Sequence, residues 1–230
     1  MVMKRAVELF RFETRPSRSP LIASIWQTQS GDEGSFISVA EARWEIVVTR
    51  QPGYSWVVVR GPETKASIAP VPRDAEFFGI QFTLGTFMPD LSLRHLVGHG
   101  LVLPQLSASS FWLDNCPWEL PQPHNADVFV DRLVSAGLLV HDPVVSAALS
   151  DDDPCGLSVR SVERRVARAT GLTRSTIRQI RRAEHAVDLL GRGVAPLEVA
   201  RRAGYTDQPH LTRSLRRFVG QTPSQIAPCP

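Results

Sequence analysis

At 230 residues, with 43% hydrophobic and 21% charged residues, the chain can bury one large core or two small ones, which excludes a disordered polymer. Its net charge of +3 divides unevenly: residues 158–230 hold fourteen arginines against Glu163, Glu184, Asp188, Glu198 and Asp207, a net +9 that leaves −6 elsewhere, so a polyanionic partner is expected at one end only. The scattered Cys116, Cys155 and Cys229 argue against a disulfide framework or zinc site, and neither a signal peptide nor an apolar run of membrane-spanning length is present, so a soluble, cytoplasmic chain is expected.

From Leu21 to Phe82 the runs LIASIW, SFISVA, RWEIVVT, SWVVVRG and EFFGIQF are short and apolar or alternating. Turn formers separate them at Gly31 to Gly34, Pro52-Gly53, Gly61-Pro62 and Pro70 to Pro72, a spacing that predicts a β sandwich or barrel. FMPDLSLRHLVGHG reads as a packed helix ending at Gly98 or Gly100. His95 and His99 lie four apart in it, but without an adjacent Glu they form no zincin motif.

A Pro-rich passage with Pro104, Pro117, Pro121 and Pro123 follows, and from Asn125 the period turns helical. Asn125 can cap a helix through Leu133 that stops at Gly137, and Asp142-Pro143 supplies a cap and a first-turn proline for VVSAAL. SDDDPCG, residues 150–156, breaks the pattern. The division expected is 1–124, β-rich, and 125–230, helical.

In LSVRSVERRVARATG, residues 157–171, Arg160, Ser161, Arg164 and Arg168 share one face opposite Val159, Val162, Val166 and Ala169, between a Ser158 cap and a Gly171 stop. TRSTIRQIRRAEHAVDLLGRG reads as one helix, with Ile177, Ile180, Val187 and Leu190 on a common side and Gly191 at its end. About eighteen residues at roughly 1.5 Å each span about 27 Å, somewhat short of the ~34 Å between successive major-groove faces. In residues 195–226 Pro196 opens a helix, small Ala200 permits close packing, Gly204 turns, and Thr206 or Asp207 caps the next helix. There Leu211, Leu215 and Phe218 share a side opposite His210, Arg213 and Arg217, so one face packs and the other is basic. Lysine is nearly absent, only Lys4 and Lys65. Two sources fit that bias: arginine's bidentate contacts with phosphate and guanine, or the composition of a GC-rich genome.

The order support helix, recognition helix, long linker helix, support helix, recognition helix resembles the DNA-binding domain of the AraC/XylS family over residues 142–226. The resemblance is strongest where Gly204, Tyr205, Asp207, Gln208, Gly220, Thr222 and Pro223 reproduce its closing pattern. It implies base contacts by Gln208, Pro209, His210, Thr212 and Arg213 in the second unit and by Arg160, Ser161, Glu163 and Arg164 in the first. Leu211 and Leu215 replace the family's phenylalanines, and the segment from Leu149 to Ser158 is longer than its tight turn. The resemblance also implies a cupin-like β-rich domain ahead of an all-α double helix-turn-helix domain, an α+β chain. Because the first histidines, His95 and His99, fall beyond the strand run where a metal-bearing cupin would place H-x-H, Glu and a later His, no metal is expected, and no cofactor. The function implied is that of a transcription regulator bound to double-stranded DNA; candidate partners are a small-molecule effector, RNA polymerase and a second copy of the chain.

Three readings stay beside this one. Glu163 either accepts from a cytosine amino group or pairs with Arg160 or Arg164. Trp26, Trp44, Trp56, Trp112 and Trp118 either line a small-molecule pocket or fill the core. The chain could also be an enzyme, with Cys116 as nucleophile, or a sequence-indifferent DNA binder. Cys116, between Asn115 and Pro117, has no neighbouring His or Arg to activate it, so no enzyme is expected.

Overall fold

The computed structural model describes residues 12–150 and 156–228. Lys4, Cys155, Cys229 and the acidic stretch 151–155 lie outside the described residues.

The strands are β1 (Glu13–Arg15), β2 (Ile22–Ser30), β3 (Gly34–Ser38), β4 (Glu45–Gln51), β5 (Tyr54–Arg60), β6 (Ser67–Val71), β7 (Ala75–Phe82), β8 (Thr86–Phe87) and β9 (Gly100–Val102). A six-stranded antiparallel sheet runs in the order β1-β2-β7-β4-β5-β9, and β3 pairs with β6 in a separate ribbon. Alternation sets the inward side: Ser55, Val57 and Val59 of β5 are buried while their neighbours are not. In β4 the run Ile46 to Thr49 is buried at every residue, so both faces of that strand are covered. Trp44 stacks on Phe82 at 4.1 Å and donates its indole N–H to the Thr86 carbonyl at 2.6 Å.

The stretch expected as a helix from Phe87 to Gly98 is a single 3-10 turn, Leu93–Leu96, which buries Leu93 and Leu96. Phe87 itself belongs to β8, and Gly98 at φ +72° follows the turn. The Pro-rich passage folds into a three-stranded sheet of β10 (Gln105–Ser107), β11 (Ser110–Leu113) and β12 (Cys116–Glu119). Three of the five tryptophans, Trp26, Trp44 and Trp118, are core residues; Trp56 is half-buried and Trp112 exposed.

Helix α1 (Ala126–Ser135) lays Phe129 against Phe111 and Trp118. Strand β13 (Val140–His141) pairs with β8, so the chain enters the helical part tied to the strands. Then come α2 (Pro143–Leu149), α3 (Val159–Thr170), α4 (Arg174–Gly191), α5 (Pro196–Arg202), α6 (Gln208–Phe218) and the single turn α7 (Pro223–Ile226). The β-rich part therefore precedes an all-helical part, as expected. The long helix ends at Gly191, as expected, and Gly193, at φ +80°, turns the chain two residues later.

The two parts share one apolar core. Gly171, which ends α3 at φ +72°, presses against the Leu93 backbone so closely that a β-carbon there would lie 2.7 Å from it. Both the left-handed turn and the missing side chain are therefore required. Arg168 covers the Phe87 ring, and Arg165 holds both oxygens of Asp142 at 3.0 and 3.1 Å.

Candidate nucleic-acid interface

Each helix pair is assembled by the same local rules. Asp142 caps α2 by accepting from the Val144 amide, and Pro143 occupies the first turn, where its missing N–H costs nothing. Ser158 caps α3 by accepting from the Ser161 amide. In the second pair Pro196 starts α5, the chain turns at Gly204, and the Asp207 carboxylate caps α6 by accepting from His210 at 2.6 Å. Leu211 and Leu215 are completely buried and Phe218 nearly so, so the leucines fill the seam in which phenylalanine was the family expectation.

The opposite face of α6 is open. Gln208, Pro209 and Arg213 are exposed, with Arg216 and Arg217 beyond them, while His210 and Thr212 are half-buried. His210 stands edge-on to Tyr205, and its Nδ1 lies 3.3 Å from the Thr206 hydroxyl, which leaves Nε2 as the ring atom without an intramolecular partner among the described residues. The Thr212 hydroxyl donates back to the Gln208 carbonyl at 3.0 Å. What Thr212 presents outward is thus its methyl group and an oxygen lone pair. Arg217 folds over Phe218, whereas Arg213 and Arg216 make no ion pair among the described residues.

On α3, Arg160 and Arg164 are exposed and make no ion pair among the described residues, while Ser161 and Glu163 are half-buried. The Ser161 hydroxyl receives a hydrogen bond from Ser158 at 3.0 Å. Glu163 faces neither Arg160 nor Arg164; its nearest cation is Arg174 of α4, at 4.0 Å. Arg165 is engaged by the Asp142 carboxylate and Arg168 by the Phe87 ring, so the free positive charge of α3 is confined to its first two turns. Val159, expected in the apolar seam, is 74% exposed. The helical period alone thus assigned Val159 to the wrong face.

One charged feature lies on the support helix α5. Hydrogen bonds from Arg201 and Arg202 bring Glu198 down to about 2, so this carboxylate stays ionised and holds two arginines close to the helix surface. Among the described residues no group of His, Cys, Asp and Glu is placed to hold a metal ion, and no helix is long and apolar enough to cross a membrane.

Residues 154–227 match a family model described as a helix-turn-helix domain. Comparison with solved structures returns ToxT from Vibrio cholerae at 12% identity and a TM-score of 0.38, covering 95% of this chain and 97% of that one. ToxT from strain O395 gives 11% and 0.41, covering 93% and 96%. A third match is ToxT from that strain bound to (E)-4-(8-methylnaphthalen-1-yl)but-3-enoic acid, at 11% and 0.41 over 95% and 98%. Comparison with curated protein sequences returned no match.

Proposed function

We infer from the helix-turn-helix domain of the AraC type in residues 154–227 that this chain is a sequence-specific regulator of transcription, acting on double-stranded DNA in the cytoplasm. The observation that carries this reading is a duplication. Two helices, α3 and α6, each set an exposed arginine face against a buried apolar seam, and one uninterrupted helix of 18 residues joins their units. Under this reading the two helices enter adjacent major grooves. Arg160, Ser161, Glu163 and Arg164 face one half-site; Gln208, Pro209, His210, Thr212 and Arg213 face the other. Residues 125–230 carry DNA binding, and residues 1–124 serve as a sensory or dimerisation domain.

A small-molecule effector, RNA polymerase and a second copy of the chain remain candidate partners on this reading. A pocket of about 380 Å³ lies over β2 and β7, lined by Glu13, Gln27, Arg50, Glu76 and Phe77 among others. It is open and mixed in character, and no tryptophan lines it.

The test is selection from a randomised duplex pool by the full-length chain, followed by isotherms for the enriched sequence and a scrambled duplex in one salt. Specific recognition gives a ratio of at least about 10³. A ratio near one assigns the chain to sequence-indifferent binding, in which charge alone holds the duplex.

A further inference from the structure

We propose that Arg174 and Arg182 of α4 are positioning residues that fix the distance between α3 and α6, and through it the half-site spacing the chain accepts. The proposal rests on the two-groove reading above. Arg174 donates to the Ala148 carbonyl, in the last turn of α2, at 2.9 Å, and its guanidinium also faces Glu163 of α3 at 4.0 Å. One side chain therefore grips both members of the first helix pair. Arg182 donates to the Gly204 carbonyl, at the turn between α5 and α6, at 3.3 Å, and its guanidinium lies 4.7 Å from the Tyr205 ring centre. Tyr205 in turn bonds Ser214 of α6 at 3.0 Å. The same residue type on the same helix thus grips the turn region of each unit, eight positions apart, which is about 12 Å along the axis.

Stability alone is a poor account of these arginines. The Nε of each is buried without a hydrogen-bond partner among the described residues, a desolvation cost that an apolar side chain of similar length would not carry. What a guanidinium adds is direction. Its planar fork sets a carbonyl at a defined angle as well as a distance, and the carbonyl end of a helix is its negative pole. The frame between the clasps is stiff, because no Pro or Gly interrupts α4 between them. Changing the spacer by one base pair moves a half-site by about 3.4 Å and turns it by about 36°. A rigid frame rejects such a change, and a loosened one follows it.

The experiment uses the full-length chain. Wild type selects a paired site from a randomised pool, and its affinity is measured for that site and for versions with the spacer one base pair longer or shorter. The same isotherms are then run for Arg174→Met and Arg182→Met, which keep the packed stem and remove the fork. Wild type is expected to lose at least about tenfold per base pair of altered spacing, and each variant to cut that ratio at least about threefold. A variant that merely leaves less protein folded weakens all spacings by one factor and leaves the ratio alone. A ratio equal to wild type in both variants overturns the proposal while the two-groove reading stands. If wild type itself enriches no paired half-sites, that reading fails, and this proposal with it.

Discussion

The backbone amide of Ala40 donates to the carbonyl of Phe218 at 2.7 Å, so the last turn of α6 is closed by a residue of the β-rich part. Ala66 does the same for Arg217 at 2.8 Å. Helix ends leave carbonyls without internal partners, and here the segments flanking the β3–β6 ribbon supply the donors. Helix α6 is thereby tied at its C-terminal end to the β-rich part.

Gly220, just beyond that turn, tests how closely the ribbon is seated. It sits at φ +73°, and a β-carbon there would lie 3.0 Å from Ile37 and 3.2 Å from Ala66. Gly220→Ala is expected to destabilise the chain by about 1–2 kcal/mol in urea unfolding, the left-handed backbone accounting for most of it. Adding Ile37→Ala should recover the steric part and leave the backbone part. No recovery on adding Ile37→Ala would mean that the ribbon gives way freely to the β-carbon.

Arg213 and Arg216 separate base reading from charge attraction. Arg213 lies on the open face of α6, opposite Leu211, Leu215 and Phe218, whereas Arg216 stands on its shoulder. Arg213→Ala should cost about 1–3 kcal/mol on the selected site and relax preference at one base pair. Arg216→Ala should weaken all sequences alike and lower the salt slope by about one. Isotherms at two salt concentrations, against the site and its single-base changes, distinguish the two. Equal losses on every sequence would remove Arg213 from the base readers.

Leu215 is completely buried beneath α6 and touches no solvent. Leu215→Ala should cost roughly 2–5 kcal/mol of stability, the sum of lost transfer energy and a cavity. In the fraction that stays folded, base preference should match wild type. A changed preference would show that the seam and the open face of α6 are not independent.

Glu184 gives the fold a pH dependence. Burial first, and then the facing Glu41 carboxylate, raise its pKa above the ordinary 4.5, while Arg43 and Arg181 pull it down. A folded value above the unfolded one means that the fold favours the protonated form. The stability this adds is complete below pH 4.5 and is lost as pH rises through the folded value. Glu184→Gln should therefore raise the thermal midpoint at about pH 7 and change it little near pH 3.5. An equal shift at both would assign the effect to packing.

The helices were legible because their ends are written locally: Asp142-Pro143, Ser158 with Gly171, Pro196 and Asp207 each act within four residues of where they stand. The strand Ser67–Val71 was not, because Pro70 argues against a strand wherever both neighbours pair; in a two-stranded ribbon one side of β6 stays open and needs no N–H from it. At the candidate interface the arginine-rich faces followed from helical period, yet which arginines are free did not. Arg165 is taken by Asp142, 23 positions away, and Arg174 and Arg182 reach carbonyls 26 and 22 positions away. Such contacts depend on how elements dock, and no local pattern announces them.

The shared core also bears on how the molecule melts. With Gly171 set against Leu93, Arg168 over Phe87 and β13 hydrogen-bonded to β8, neither part can unfold without exposing apolar surface of the other. Calorimetry should then record one endotherm, with equal calorimetric and van't Hoff enthalpies, where two loosely tethered units would give two. In such a cooperative unit any compound that binds the strands delays the melting of α3 and α6 by the same number of degrees.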